Sequence, residues 1–372
     1  MPRPQVLSIP ERLDAHPRLA GKGVVIGFVD SGFYPHPDLM LPRRRIKVYA
    51  DATRDVPIAS DFFTAQVFGW HGTMAVSCAA GNGYVSGGRY RGLASEADVV
   101  LIKASTEGGR LRAKDIAHAI RFPLRHPELG IRVLNVSVGT FDSDPDRDEV
   151  SRAVKEVVDA GVTLFAPAGN RSGHPPTPPG SCADAITVGG LDDHNTMDRG
   201  DDKPWPSSYG MTPEGVMKPD LLAPALWLPA PMLPGTLVAR EAAPLFQLLS
   251  VLEEASSEYG FSEQRSTATH EERASVAALV EAVGARISRK KYISPDYQHV
   301  EGTSFASPIT ASVAAQMLEA DPALTPAQIR EALVSTAQPI QDVPRERQGA
   351  GLLRPRIAVE WAISRAAVRS TM

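Results

Sequence analysis

Ser304 stands between a Gly-Thr pair and a Phe-Ala pair in EGTSFASPITASVAA (301–315), and the small apolar residues after it read as a buried helix. Alone, such a serine is a helix cap. Three other residues change that reading. Asp30 directly follows the apolar run GVVIGFV (23–29), and a carboxylate there is costly to bury without a partner. His71 opens HGTMAVSCAAG (71–81), a stretch that reads as a helix starting at or just after the histidine. Asn170 follows VTLFAPAG (162–169) and offers an amide donor. Together they suit acyl chemistry at a hydroxyl. The hydroxyl needs a base, the imidazole needs a carboxylate to hold its tautomer, and the developing oxyanion needs preorganised donors. At a helix start, Ser304 adds its backbone N–H and the positive dipole end.

These side chains need a frame. The β-branched runs GVVIGFV (23–29), DVVLIKAS (98–105), RVLNVSVG (132–139) and VTLFAPAG (162–169) read as strands buried on both faces, with AITVGGL (185–191) as a further strand. Helical patterns separate the later ones: AKDIAHAIRFPLRH before 132, and RDEVSRAVKEVVDAG before 162, ending on Gly161. The alternation predicts right-handed βαβ crossovers. The fold class is α/β, a three-layer, doubly wound, mostly parallel sheet sandwiched by helices. Ligands of such sheets bind outside the strands' carboxyl ends, where Asp30, Ser137-Val138-Gly139 and Gly169-Asn170 stand. Helical patterns at 303–319, 325–337 (with Thr325 as N-cap and Pro326 after it) and 354–367 close the chain.

One region breaks the rhythm. From about 229 to 300 the sheet pattern stops and two amphipathic helices follow, joined by SEYGFSEQRSTATH. Leu245, Leu248, Leu249 and Leu252 repeat at helical spacing, as do Val276, Leu279, Val280, Val283 and Ile287. Thr269 and Glu272 have the spacing of a capping box. The region reads as a helical hairpin inserted into a single domain spanning 1–372, with residues 1–20 as a short N-terminal extension.

Composition narrows the function classes. Of 372 residues, 43% are hydrophobic and 22% charged, the balance of a soluble globular protein. A net charge of −4 provides no basic face for nucleic acid. The short runs PRRRIK (42–47) and SRKK (288–291) read as solvated surface. No run reaches the roughly 18 apolar residues of a membrane span, and the N-terminus has no apolar signal core. Cys78 and Cys182 read as reduced, structural thiols, so a cytoplasmic location is expected. Without an HExxH-like spacing no metal is expected in the chemistry, and no cofactor is required.

GVVIGFVDSG, HGTMAVS, LNVSVG, APAGN, MKPDLLAPA and GTSFASPITASVAA follow one another from residue 23 to about 317 in the order of the signature blocks of the subtilisin-like serine proteases, or subtilases. The chain resembles that family over most of its length. The resemblance implies a serine endopeptidase in which Asp30 orients His71, His71 is general base and then acid, and Ser304 is the nucleophile. Asn170 and the Ser304 backbone N–H form the implied oxyanion hole. Ser137, Val138 and Gly139 are the implied edge segment, pairing with the substrate backbone and lining one wall of the P1 pocket. Residues 166–169, including Ala168 and Gly169, line another. Arg171 at the mouth would favour an acidic P1 residue by charge. HPDL (36–39) resembles a calcium-binding segment of the family, which makes Asp38, with Asn82 nearby, a candidate ligand of structural calcium.

Departures from the family matter as well. Met74 replaces the second histidine of the usual HGTH and is expected to alter packing only. With some 20 residues before the first strand, maturation by loss of a large propeptide is not expected. The insert at 229–300 is longer than the family's connection and is a candidate regulatory lid, partner-docking element or oligomer contact. A protein or precursor peptide is the expected substrate. An amine intercepting the same acyl-enzyme would make a transpeptidase or macrocyclase. A catalytically silent peptide-binding scaffold is the alternative from another class, and the intact set of four argues against it. An α/β-hydrolase is disfavoured, since its order is Ser…Asp…His and the GxSxG elbow is absent.

Overall fold

The computed structural model describes residues 6–54, 56–57, 65–140, 146–260 and 269–370. Its centre is a nine-stranded sheet. The longer strands are β1 (Val25–Asp30), β2 (Ile46–Asp51), β3 (Asp98–Lys103), β4 (Ile131–Val136), β5 (Thr163–Pro167), β6 (Ile186–Asp192) and β7 (Leu221–Pro224). They lie in the order β7-β6-β5-β4-β1-β3-β2, each neighbouring pair parallel. Val56–Pro57 adds to β2, and Lys203–Pro204 to β6, both antiparallel.

Alternation along the strands makes the three layers. In β3, Val99 and Leu101 face one core while Val100 and Ile102 face the other. Of the helices, α1 (Trp70–Ala80) covers the first face and α2 (Ala113–Ile120) and α3 (Arg147–Asp159) the second. The hairpin helices are α4 (Leu237–Gly260) and α5 (His270–Arg289), and α6 (Thr303–Ala320), α7 (Pro326–Ser335) and α8 (Pro355–Ser370) return to the first face. The predicted helix across 113–126 divides after Ile120. Pro123 has no N–H to give the Ala119 carbonyl, and Phe122–Arg125 forms a separate turn.

The basic run at 42–47 differs from the expectation of plain surface. β2 emerges from the basic run, and Arg45 is buried, its guanidinium donating to the carbonyls of Asp38, Ala80 and Ala97. A charge tolerates such burial when backbone oxygens take its donors. The extension at 1–20 docks where it is described: Ile9 and Leu13 enter the main core. Arg12 is fully buried, pairing with Asp193 and donating to the carbonyls of Leu226 (2.8 Å) and Trp227 (2.9 Å).

The insert stands on a two-stranded stem, β8 (Leu228–Pro231) antiparallel to β9 (Tyr297–Val300), so the ends of 229–300 are strands rather than helix. The stem packs on α1: Cys78 Sγ lies 3.8 Å from the Pro229 carbonyl, and Met74 Sδ takes the Gln298 amide at 3.7 Å. Thr269 and Glu272 form the expected capping box. Leu249 and Ile287 anchor a small core of their own with Met232, Ala242 and Tyr292, whereas Leu248 and Leu279 of the predicted stripes are 48% and 52% exposed. Most of the linking polar segment, 261–268, lies outside the described residues. No helix among the described residues is long and apolar enough to cross a membrane.

Candidate active site

Asp30 ends β1 and is buried. Its Oδ1 accepts the Ser31 N–H at 2.7 Å and the Ser31 hydroxyl at 3.1 Å. His71, the second residue of α1, brings Nδ1 to 2.9 Å from both carboxylate oxygens. An ionised carboxylate only accepts, so Nδ1 carries the proton and Nε2 is left as the basic nitrogen. Gly72 permits this pairing. A Cβ there would stand 2.3 Å from the Gly32 carbonyl oxygen and 2.8 Å from Asp30 Cβ, so only glycine lets α1 come so near β1. Burial would lower the pKa of the imidazole, but the charge and hydrogen bond of Asp30 outweigh it and hold the value above histidine's usual one.

Ser304 is in the first turn of α6. From Thr303 to Leu318 every residue except Ser304 is buried. The helix follows Gly302, whose φ of 129° disfavours any residue with a side chain. The next residue, Phe305, places its ring 5.4 Å from the His71 ring, centroid to centroid. The Ser304 hydroxyl makes no hydrogen bond among the described residues; apo contacts of this kind are often long and close on substrate.

Asn170, exposed after β5, is fixed through its oxygen. Its Oδ1 accepts the Thr303 N–H at 3.1 Å and the Thr303 hydroxyl at 2.8 Å, while Thr303 Oγ1 accepts the Gly169 N–H at 3.1 Å. The amide Nδ2 is thereby turned away from Thr303 as a donor, over Gly302. A cavity of about 610 Å³ opens beside it, lined among others by Gly139, Ala168, Gly169, Asn170 and Arg171. The Arg171 side chain is exposed, without an ion pair among the described residues. Its backbone is held by the Ser208 hydroxyl at 3.2 Å on both the N–H and the carbonyl.

The expected edge segment at 137–139 follows β4 directly. Gly139 lines the cavity, but Val138 packs into the second core and the Ser137 hydroxyl points inward to the Ser304 carbonyl at 3.0 Å. Beyond the end of β4 at Val136, Ser137 and Val138 still turn their side chains to opposite sides. At the candidate calcium position, the Asp38 carboxylate is engaged by the Tyr297 hydroxyl and the Val85 N–H. Asn82 Oδ1 takes the Tyr84 N–H. A calcium ion wants six to eight oxygens, and at this position Asp38 and Asn82 already accept from protein donors. Among the described residues no group of three His, Cys, Asp or Glu side chains could hold a metal. Burial pushes the Cys78 thiol up to about 12 and that of Cys182 to about 11, so both are unreactive. Ser31, Asn135 and Thr303 also bond within this region, and only their places inside the blocks GVVIGFVDSG, LNVSVG and GTSFASPITASVAA point to them in the sequence.

The sequence profile of the subtilase family matches residues 21–351. The chain is 28% identical over 344 residues to serine protease AprX of Bacillus subtilis strain 168, covering 90% of this chain and 65% of AprX. Fervidolysin from Fervidobacterium pennivorans, described as a keratinolytic enzyme related to subtilisin, superposes with a TM-score of 0.65 at 20% identity, over 95% of this chain and 45% of that one. The prenylagaramide maturation protease PagA superposes with a TM-score of 0.57 at 18% identity, over 95% and 96%. At these identities the two structures speak to the fold.

Proposed function

Because the chain belongs to the subtilase family, we propose that it is a serine endopeptidase working through an acyl-enzyme. In this reading His71 Nε2 takes the proton of Ser304 Oγ as the oxygen attacks the scissile carbonyl, and Asp30 stabilises the imidazolium that forms. The backbone N–H of Ser304 and the Asn170 amide donate to the oxyanion. His71 then returns its proton to the leaving amine, and water repeats the sequence on the ester. The observation that carries the reading is the Asp30–His71 contact at 2.9 Å, with the His71 ring 5.4 Å from that of Phe305, the residue after the one unburied position of 303–318. Labelling by a fluorophosphonate probe tests it. Wild type is expected to react and Ser304→Ala not to; an unlabelled wild type overturns the assignment.

The cavity beside Asn170 is the proposed P1 pocket, and Arg171 its selector for an acidic side chain. Its guanidinium, exposed and without an ion pair among the described residues where it lines the cavity, supports this. Peptides varied at P1 should be cleaved faster after Glu than after Leu, with the preference lost in Arg171→Ala; equal rates in both proteins sink the idea. Such selectivity suits a restricted protein or precursor-peptide substrate, and PagA, alike in fold, is a maturation protease. The buried free thiols Cys78 and Cys182 fit a reducing compartment such as the cytoplasm. For residues 229–300 we favour docking of a regulatory partner over a lid. No described residue of that stretch lines the cavity, while Leu237 and Val251 are 82% and 63% exposed.

A further inference from the structure

The carbonyl of Ser304 has lost its ordinary helical partner. In an α-helix it would accept the N–H of residue 308, but that residue is Pro308, inside α6, and has none to give. A donor arrives from another element: the Ser137 hydroxyl, 3.0 Å away and 167 positions earlier in the chain. That hydroxyl is itself directed. Ser137 Oγ accepts from Asn135 Nδ2 at 2.8 Å, and Asn135 Oδ1 accepts from the Ser307 hydroxyl at 2.7 Å. Donors and acceptors run one way around the circuit, from Ser307 to Asn135 to Ser137 to the Ser304 carbonyl. Asn135, Ser137 and Ser307 are 1%, 5% and 0% exposed, so bulk water does not compete for these bonds.

We infer that Asn135, Ser137 and Ser307 are positioning residues for the reaction. The inference rests on Ser304 being the nucleophile. The circuit pins the first turn of α6 to the end of β4 at two points, the Ser304 carbonyl and the Ser307 side chain. It therefore sets where Ser304 Cα and Cβ stand relative to the His71 ring and the Asn170 amide, which are carried by other elements. A proline four residues after the nucleophile makes this hold external: the helix itself cannot supply it. Misplacement of a reacting group by about 1 Å can cost on the order of 10²-fold in rate, so the effect belongs in turnover rather than in substrate binding.

A double-mutant cycle tests it. Ser137→Ala is expected to lower kcat and the fluorophosphonate labelling rate by about 10- to 100-fold, with KM within about twofold. Pro308→Ala restores an N–H where the carbonyl expects one. In that background Ser137→Ala should cost less than about threefold, a non-additivity that general loosening does not produce. Asn135→Asp, nearly isosteric, still accepts from Ser307 but cannot donate to Ser137; it should reproduce the Ser137→Ala loss and add little to it. Unchanged kcat in Ser137→Ala, or a loss undiminished in the Pro308→Ala background, overturns the inference. So does failure of both Ser137→Ala and Asn135→Asp to fold, read from thermal unfolding, because the circuit would then serve the core alone. Wild type that the probe does not label defeats instead the assignment of Ser304 as nucleophile.

Discussion

The first turn of α6 and the hairpin of α4 and α5 are joined through β9, yet different contacts hold them. Thr303, Ser304 and Ser307 are bonded to Asn170, Ser137 and Asn135, partners 133, 167 and 172 positions away. Apart from Ser304 itself, every residue of α6 from Thr303 to Leu318 is buried, as are Asn135 and Ser137. The hairpin is held mostly by itself: a capping box at its second helix, Glu241 paired with Arg286 and bonded to Tyr292, and a core with few fully buried members. The difference teaches where the chain keeps its precision. Long-range bonds in a dry interior fix atoms to fractions of an ångström, whereas a semi-independent hairpin whose stripes are only partly buried can shift or vary without moving the site.

The sharpest way to break this contrast is at the α6 end. Ser304→Ala should remove at least about 10⁴-fold of kcat on a cleavable peptide, and Asn170→Ala about 10²- to 10³-fold; turnover within tenfold of wild type for either would dissolve the proposed site. Core truncations separate the regions next. Ile309→Ala, at a fully buried position of α6, should destabilise the whole domain by about 2–5 kcal/mol in denaturant unfolding. Leu249→Ala, buried in the hairpin, should lose hydrogen-exchange protection in α4 and α5 while the unfolding of the sheet and kcat stay unchanged. A single coupled transition in both variants would erase the distinction.

Protonation of His71 has a smaller effect with a definite sign. The base works neutral, so kcat/KM should fall as pH drops through an apparent pKa above the usual histidine value, raised by Asp30 against the effect of burial. In Asp30→Asn the surviving activity should have its acid limb moved to lower pH, because burial then acts alone; an unmoved limb would assign the titration to another group. The stability from this pair is complete below the ordinary histidine pKa and is lost as pH rises through the raised one. The smallest expected effect is that of excising 235–295. Turnover of a short peptide should stay within about twofold, whereas regulated or partner-dependent cleavage should change. A large loss on short peptides, with folding intact, would restore the lid.

Much of this contrast is legible in the residues. The five apolar runs became β1, β3, β4, β5 and β6, and Thr269 and Thr325 cap the helices they precede, because strand burial and capping act over a few residues. β2 escaped notice because its run IKVYAD begins in basic residues, and nothing local says that Arg45 will find three carbonyls. Arg12 hid likewise in a polar extension, its partner Asp193 lying 181 positions on. The candidate calcium pair also depends on distant residues: the Asp38 carboxylate meets the hydroxyl of Tyr297, 259 residues later, a contact the local motif does not announce.

By itself the sequence determined the elements, their βαβ order, and which residue types stand at the strand ends and the helix start. Those follow from periodicity, caps and motif blocks. Only the tertiary structure decided that Ser304 is the one open position of 303–318, that the Asn170 amide is turned by Thr303, and that the Ser137 hydroxyl reaches the Ser304 carbonyl. The physical reason is range. A hydrogen bond between residues more than 100 positions apart has no local signature; it exists only once parallel crossovers have closed the sheet, and Pro308 leaves the Ser304 carbonyl to be satisfied by such a bond.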